Sequence, residues 1–244
     1  MATAFSENLT AEQQSQVLQL FQQFQHPTLQ KDLIELKTLK KVEKGGDVLR
    51  IELQLPFAWN TGVEQVKQQL SDALLKATDS KEIKWVVNYQ IATLKRANNQ
   101  PAVKGVKNII AVTSGKGGVG KSSVSVNLAL ALQAQGARVG ILDADIYGPS
   151  IPHMLGAPHQ RPTSPDNQHI TPIKAYGLSA NSIGFLMDED NATIWRGPMA
   201  SSALSQLLNE TLWDSLDYLV IDMPPGTGDI QLTISQQIPV TGAV

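Results

Sequence analysis

The stretch Gly115-Lys116-Gly117-Gly118-Val119-Gly120-Lys121-Ser122 decides the fold of this sequence. It matches the phosphate-loop pattern G-x-x-x-x-G-K-[ST] at every fixed position, between a predicted strand at 109–112 and a predicted helix at 122–135. Glycines let successive backbone N–H groups face phosphate oxygens, and the start of a helix adds a favourable dipole. An ordinary glycine-rich turn needs neither the lysine nor the serine at this spacing. The sequence therefore predicts a loop that binds the phosphates of a nucleotide.

The chemistry of phosphoryl transfer assigns roles to the positions of this loop. Lys121 is predicted to reach the β- and γ-phosphates of ATP, and the Ser122 hydroxyl is predicted to bind Mg²⁺. Lys116 is either a solvated lysine or a cation that its long stem carries to a facing subunit. The predicted nucleotide-binding residues are the loop, the residue after it and two later glycines: Gly115, Lys116, Gly117, Gly118, Val119, Gly120, Lys121, Ser122, Ser123, Gly226 and Gly228.

Aspartates follow two of the predicted strands. Asp143 and Asp145 come after a strand at 139–142, and Asp222 comes after a strand at 218–221. The carboxyl ends of parallel strands meet at one edge of a sheet, beside the phosphate loop. One aspartate in such a place is often only a helix cap or a turn residue, but two on neighbouring strands favour a metal site.

The three aspartates receive different predicted roles. Asp222 is predicted to hold the Mg²⁺ shell through water, Asp143 to lie behind it, and Asp145 to position the attacking water. The predicted metal-site residues are Ser122, Asp143 and Asp222. The predicted catalytic residues are Lys116, Lys121 and Asp145.

The segment Asp222-Met-Pro-Pro-Gly226-Thr-Gly228-Asp229 has the composition of a switch loop. Its two prolines stiffen the entry, and its glycines can bring backbone N–H groups to a γ-phosphate and release it after hydrolysis. A plain surface turn is the alternative. The position directly after Asp222 favours the switch.

The pattern of apolar residues divides the chain into two domains. Residues 1–91 are predicted as a small α+β unit, because helix, strand, strand, helix and strand follow one another. Residues 92–108 are polar, basic and interrupted by Pro and Gly, which is typical of a linker. Residues 109–244 alternate short apolar strands with helices, which predicts a parallel sheet covered on both faces. The predicted class is α/β, with a mainly parallel P-loop NTPase domain. The predicted elements outside the loop region are a helix around residues 17–24, strands at 33–42, 47–55 and 83–91, a helix at 62–76, a strand at 178–183 and a helix at 198–212.

Composition limits the possible partners and compartments. The chain has no cysteine, so it holds neither disulfides nor thiolate metal sites. The net charge of −2 comes without a dense basic field, so nucleic acid is not an expected partner. No apolar run is long enough to cross a bilayer, and the first residues do not resemble a secretory signal. We therefore expect a cytoplasmic protein without a membrane partner.

Four motifs together resemble the Mrp/ApbC family of iron–sulfur cluster carrier ATPases. They are the phosphate loop, Asp143-Ala-Asp-Ile-Tyr-Gly-Pro-Ser150, Trp195-Arg-Gly-Pro198 and the segment from Asp222 to Asp229. The loop itself is similar to the two-lysine loops of the MinD, ParA and nitrogenase iron-protein class, in which the extra lysine contacts phosphate across a dimer. The resemblance implies a homodimer that uses ATP and Mg²⁺ to hold an iron–sulfur cluster and to transfer it to apo iron–sulfur proteins, together with assembly factors.

One feature departs from this family. Its members bind the cluster through a C-x-x-C pair, whereas this chain has no cysteine and stops in Pro239-Val-Thr-Gly-Ala-Val244, which reads as the start of a strand. We therefore expect a C-terminally truncated sequence whose longer parent carries the cluster. Two alternatives stay open: a nucleotide-gated positioning or partition ATPase of the MinD/ParA type, and a non-hydrolysing scaffold that ATP switches.

Overall fold

The computed structural model describes residues 3–97, 99–186, 197–226, 236 and 238–244. Within it the chain divides into two compact units, Met1–Ala92 and Thr93–Val244.

The first unit is a four-stranded sheet with two helices. Its strand order is β1-β2-β3-β4, in which β2 and β3 are antiparallel and the outer pairs are parallel. The two-residue strand β1 has no counterpart in the predictions, and α1 and β2 each begin about six residues from the predicted start, while β3, α2 and β4 lie within two residues of their predicted bounds. The elements are β1 Ala4–Phe5, α1 Ala11–Gln23, β2 Leu39–Gly45, β3 Val48–Leu55, α2 Asn60–Thr78 and β4 Glu82–Tyr89.

Helix α1 begins with a reciprocal cap. The Thr10 hydroxyl accepts from the N–H of Gln13 at 3.2 Å, and the Gln13 side chain accepts from the N–H of Thr10 at 3.0 Å. Further along the helix, Val17 and Phe21 are fully buried. The Phe21 ring meets Trp85 of β4 edge-on, with the ring centroids 6.3 Å apart. Helix and sheet thus share one apolar core.

The hairpin of β2 and β3 is confirmed, but the prediction that its first strand runs over 33–42 is wrong. Strand β2 begins only at Leu39. The Asp32 carboxylate accepts hydrogen bonds from the N–H groups of Ile34 and Glu35, both at 2.8 Å. Such local bonds hold the chain in turns, although its apolar residues are spaced like those of a strand.

The second unit is a six-stranded sheet, and the predicted α/β class with a mainly parallel sheet is confirmed. The strand order is β10-β5-β9-β6-β8-β7, and every neighbouring pair is parallel except β7 with β8. The elements are β5 Val106–Val112, α3 Lys121–Ala134, β6 Val139–Asp143, α4 Ile151–Met154, β7 Ile173–Ala175, β8 Leu178–Ser182, α5 Gly197–Asn209, β9 Leu216–Asp222 and β10 Gly242–Ala243.

The sheet of the second unit is buried through its centre. All five residues of β6 are buried, and so are six of the seven in β9. This agrees with strands that read as continuous apolar runs. The predicted strand start near the end of the sequence is also found, because β10 pairs with β5 through Gly242 and Ile110.

The predicted linker over 92–108 is wrong at its C-terminal end. Strand β5 begins at Val106, and Val103 before it is buried in the core. Asn108 is buried as well: its side-chain oxygen accepts from the N–H of Leu94 at 2.8 Å, and its amide donates to the carbonyl of Asp217 at 3.2 Å. A buried polar side chain with such partners is well tolerated. Polar composition therefore concealed the start of a strand.

Of the helices in the described ranges, none combines the length and the apolar character needed to span a membrane.

Candidate nucleotide-binding site

The phosphate loop joins the buried strand β5 to helix α3. Gly118 and Gly120 have φ angles of +76° and +93°, a region in which residues with side chains are strained. The N–H of Gly226 donates to the carbonyl of Ser114 at 2.9 Å, which ties the loop to the chain after β9. The local sequence thus sets both the turn and the start of the helix.

The loop surrounds an open space that protein packing does not fill. A Cβ atom added at Gly115, Gly118 or Gly120 would meet no protein atom within 4 Å, and one at Gly117 would only touch the Pro225 side chain at 4.0 Å. The pocket here has a volume of ≈ 150 Å³, below the 300–1,000 Å³ usual for whole small-molecule sites. It suits phosphate groups rather than a complete nucleotide. The residues that line it are Ser114, Gly117, Gly118, Gly120, Lys121, Ser122, Ser123, Asp145 and Pro225.

Lys121 lines this pocket and lies at the centre of a polar cluster. Its Nζ is 2.8 Å from Oδ1 of Asp222 and 3.9 Å from Oδ2 of Asp145. The Ser122 hydroxyl donates to Oδ2 of Asp222 at 2.6 Å. The structure therefore brings the predicted lysine, serine and two aspartates together.

Asp222 is fully buried at the end of β9. It is in register with Val112 of β5 on one side and with Asp143 of β6 on the other. Its carboxylate is accordingly beside the phosphate loop, and three side chains donate to or pair with it: Lys121, Ser122 and Ser125.

Ser125 is the one member of this cluster that sequence reasoning missed. Its hydroxyl is 2.6 Å from Oδ1 of Asp222, and it is fully buried. The signal was its spacing: Ser125 lies four residues after Lys121 and three after Ser122, so all three share one face of α3.

Asp143 lies beside Asp222 but faces the loop that follows β6. Its carboxylate accepts from the N–H groups of Asp145, Ser150 and Ile151 and from the Ser182 hydroxyl, at 3.0–3.1 Å. Burial raises the pKa of Asp143 to about 7, and the Asp222 charge adds to the increase, while these hydrogen bonds oppose it. The side chain orders the loop that carries Asp145. Its predicted place behind the metal stays a prediction.

Asp145 is the carboxylate that reaches the pocket itself. It is partly buried, and this burial raises its pKa, although the Lys121 ammonium opposes the increase. An acid at the edge of a phosphate-sized space can hold a water molecule close to a terminal phosphate.

The remaining predicted residues lie around the pocket or outside the described ranges. Lys116, Val119 and Ser123 are exposed. Among the residues that the structure describes, no ion pair involves Lys116, and its backbone carbonyl accepts from the Ser114 hydroxyl at 3.0 Å. Gly226 is described, with a φ of +103°. Gly228 and the rest of the predicted switch loop to Asp229 lie outside the described residues.

The donor set fits Mg²⁺ better than a softer metal. The described residues contain no group of three or more His, Cys, Asp and Glu side chains that could hold an ion unaided. Mg²⁺ prefers few carboxylates and completes its shell with water and phosphate oxygens. Ser122, which lines the pocket, and Asp222, which it contacts, offer that combination.

A glycine-rich loop between a parallel strand and a helix, with aspartates at the ends of the neighbouring strands, defines a P-loop NTPase fold. Comparison with known proteins agrees. The family model of the NUBPL iron-transfer P-loop NTPases matches residues 105–244, and the chain belongs to this family.

Curated relatives extend the similarity over both units. The chain is 89% identical over its whole length to an iron–sulfur cluster carrier protein of Haemophilus influenzae, and spans 66% of that protein. It is 65% identical over 221 residues to the protein of the same name from Escherichia coli, of which the match spans 60%. A solved nucleotide-binding protein from Archaeoglobus fulgidus, in complex with ADP, is 40% identical with a TM-score of 0.50, over 57% of this chain and 53% of that one. The resemblance inferred from the motifs is thus confirmed.

Proposed function

We propose that this chain is the nucleotide-driven part of a homodimeric carrier that hydrolyses ATP and transfers iron–sulfur clusters to apo iron–sulfur proteins. The observation that carries the proposal is the cluster of Lys121, Ser122 and the buried Asp222 at a phosphate-sized pocket. The chain belongs to a family of iron-transfer P-loop NTPases, which supports the use of ATP. Its similarity to iron–sulfur cluster carrier proteins supports the transfer of clusters.

The first step is binding of the ATP phosphates by the loop. Backbone N–H groups around Gly118 and Gly120 and the start of α3 attract the phosphates, and Lys121 exchanges Asp222 for phosphate oxygens. That exchange removes the cation from Oδ1 of Asp222. Ser122 and Asp222 would hold Mg²⁺, and the bound ion would neutralise part of the phosphate charge.

The hydrolytic step is assigned to Asp145 and Lys116. Asp145 lines the pocket and orients the attacking water. Lys116 is exposed at the entry of the loop, and we assign it to the site of a second subunit, where it stabilises the charge that develops on the phosphates. Exposed apolar side chains near the pocket favour such an interface: Val119 of the loop is 61% exposed, and Tyr147, two residues after Asp145, is 53% exposed.

Cluster carriage is assigned to the whole protein rather than to these residues alone. The chain has no cysteine, and it spans about two thirds or less of the iron–sulfur cluster carrier proteins that it matches. The part described here would drive binding and release of the cargo through ATP, with apo iron–sulfur proteins and assembly factors as partners.

Lys121→Ala in the full-length protein tests this proposal. We expect ATP binding to weaken by about one to two decades and hydrolysis to be lost, because a charge-assisted contact contributes about 1.5–3 kcal/mol. Binding is measured with a fluorescent ATP analogue, and hydrolysis by phosphate release. Lys174→Ala is the control, because this lysine is exposed and 3.8 Å from the exposed Asp214. Unchanged binding and turnover in a folded Lys121→Ala variant would contradict the assignment.

A further inference from the structure

Ser125 lies one helical turn deeper in α3 than the residues that face the phosphates. It is fully buried and is not among the residues that line the pocket. Its hydroxyl therefore has no access to ATP or to water in the pocket. Its two neighbours are the backbone carbonyl of Lys121, at 3.1 Å, and Oδ1 of Asp222, at 2.6 Å.

The single proton of this hydroxyl goes to the carboxylate. A serine in a helix commonly bonds to the carbonyl four residues earlier, and the 3.1 Å distance allows that bond. The 2.6 Å distance to Asp222, however, falls in the range of a hydroxyl that donates to a charged oxygen, a bond about twice as strong as a neutral one. Ser125 thus acts on Asp222, and the helix tolerates the loss of the local bond.

Three groups hold the Asp222 carboxylate, and two of them have tasks elsewhere. Lys121 contacts Oδ1 and Ser122 donates to Oδ2. In the proposed function both turn to the phosphates and Mg²⁺. Ser125 cannot follow them, because its buried position leaves it facing only the carboxylate and the helix backbone.

We propose that Ser125 is a positioning residue for Asp222. Its hydroxyl keeps Oδ1 fixed while Lys121 and Ser122 exchange partners, so that Oδ2 continues to face the metal site. The inference rests on the proposed function and adds a residue to it. Without this bond the carboxylate could rotate and lose its orientation for Mg²⁺, and the affinity for the metal would fall.

The experiment compares the Mg²⁺ dependence of Ser125→Ala with that of the full-length wild-type protein. Alanine suits a helix interior, so the backbone of α3 is retained. We expect Mg²⁺-free ATP binding to be unchanged, while half-maximal hydrolysis needs about tenfold more Mg²⁺, the equivalent of one lost charge-assisted bond. Ser125→Cys keeps the shape with a weaker donor and should give a smaller shift in the same direction. It also serves as the test if the alanine variant does not fold.

Ser179→Ala is the matched control. Like Ser125→Ala, it removes a buried serine hydroxyl from the second unit. Ser179, however, lies on β8, accepts from the Lys174 ammonium at 2.7 Å and does not line the pocket. We expect it to lower thermal stability without moving the Mg²⁺ midpoint. A folded Ser125→Ala or Ser125→Cys variant whose Mg²⁺ midpoint equals that of Ser179→Ala would overturn the inference and leave Ser125 a packing residue. A wild-type protein without Mg²⁺-stimulated hydrolysis would instead refute the proposed function itself.

Discussion

At the scale of single residues, the contact between Lys121 and Asp222 would, in the proposed function, link the binding of phosphate to the binding of metal. Their charged atoms are 2.8 Å apart, and the Asp222 side chain is fully buried. A buried carboxylate without a compensating cation is costly. When phosphates draw Lys121 away, Mg²⁺ can replace it as the positive partner of Asp222. Phosphate and metal should therefore favour each other's binding beyond their direct contact.

This coupling predicts different effects of two aspartate substitutions. Asp145→Ala should keep MgATP binding and lose hydrolysis, because this carboxylate lines the pocket without holding Ser122. Asp222→Ala should abolish the tightening of ATP binding by Mg²⁺, about tenfold or more. It should leave Mg²⁺-free binding at least as tight as in the wild type, because Lys121 no longer has to leave a carboxylate. Titrating a fluorescent ATP analogue with and without Mg²⁺ measures both quantities. Equal effects of the two substitutions on metal dependence would show that the roles of Asp145 and Asp222 are assigned wrongly.

The sequence predicted most of this cluster because each member belongs to a fixed motif or to the end of a strand. Lys121, Ser122 and Asp222 are brought together as their spacing requires. Ser125 was missed because a serine on a helix carries no signal of its own until its partner is known. The orientation of Asp143, towards Ser150 and not towards the pocket, depends on loop backbone that no local pattern specifies.

At the scale of elements, Asp217 joins three strands at the edge of the sheet opposite to the pocket. It lies near the start of β9 and accepts from Lys107 of β5 at 2.7 Å. It also accepts from the backbone N–H and the guanidinium of Arg138, just before β6, at 3.0–3.3 Å. Burial alone would raise the pKa of Asp217, but the hydrogen bonds from Arg138 and Lys107 outweigh it and lower the pKa below its usual value.

The lowered pKa predicts how Asp217 contributes to stability at different pH values. The folded chain binds the proton less tightly than the unfolded chain, so the contribution is complete above the unfolded pKa of about 3.9 and disappears as the pH falls through the folded value. Asp217→Asn should lower the free energy of unfolding at pH 7 by about 1–3 kcal/mol, because it removes the charge that pairs with Lys107 and Arg138. The loss should not exceed this range, because solvent screens both partly exposed cations. Below about pH 4 the difference from wild type should shrink.

Urea denaturation between pH 7 and pH 3.5 measures this difference. Asp214→Asn is the control, because that carboxylate is exposed and its nearest cation, Lys174, is 3.8 Å away. A gap between wild type and Asp217→Asn that stays constant over the whole range would show that the charge of Asp217 is not what stabilises the three strands.

Elements whose pattern agrees with their burial were predicted well, and the errors have local causes. The buried strands β6 and β9 are continuous apolar runs and could be recognised without their partners. The start of β2 was placed too early because the Asp32 carboxylate holds the preceding residues in turns. The start of β5 was placed too late because the buried Asn108 makes the segment look like a polar linker.

At the scale of the whole molecule, the order of the strands places the functional residues at one edge. Strand β9 lies between β5 and β6, so that Asp222 lies beside Asp143 although they are distant in sequence. Ligands of open parallel sheets bind outside the carboxyl ends of such strands. The strands could be predicted from the sequence, but their order in the sheet could not, because pairing between distant segments leaves no local pattern.

The position of Lys116 determines whether the proposed enzyme depends on a second subunit. In the proposed function Lys121 serves the phosphates from within the loop, and in the described part of the chain Lys116 is exposed without an ion-pair partner. A cation that is delivered across an interface neutralises charge in the transition state, as an arginine finger does when it is supplied in trans. Lys116→Ala should therefore retain ATP binding, while hydrolysis falls by a factor of about 10³, the lower end for such groups.

Mixing two inactive variants separates action in trans from action within one subunit. A Lys116→Ala subunit keeps Asp145 but supplies no lysine, whereas an Asp145→Ala subunit supplies the lysine but cannot position water. In a mixed dimer, one of the two sites regains both groups, so an equimolar mixture of full-length variants should recover activity after subunit exchange. ATP hydrolysis is measured for each variant alone and for the mixture, with exchange verified by differently labelled subunits. If exchange is complete and the mixture stays as inactive as its components, Lys116 acts within its own subunit or not at all.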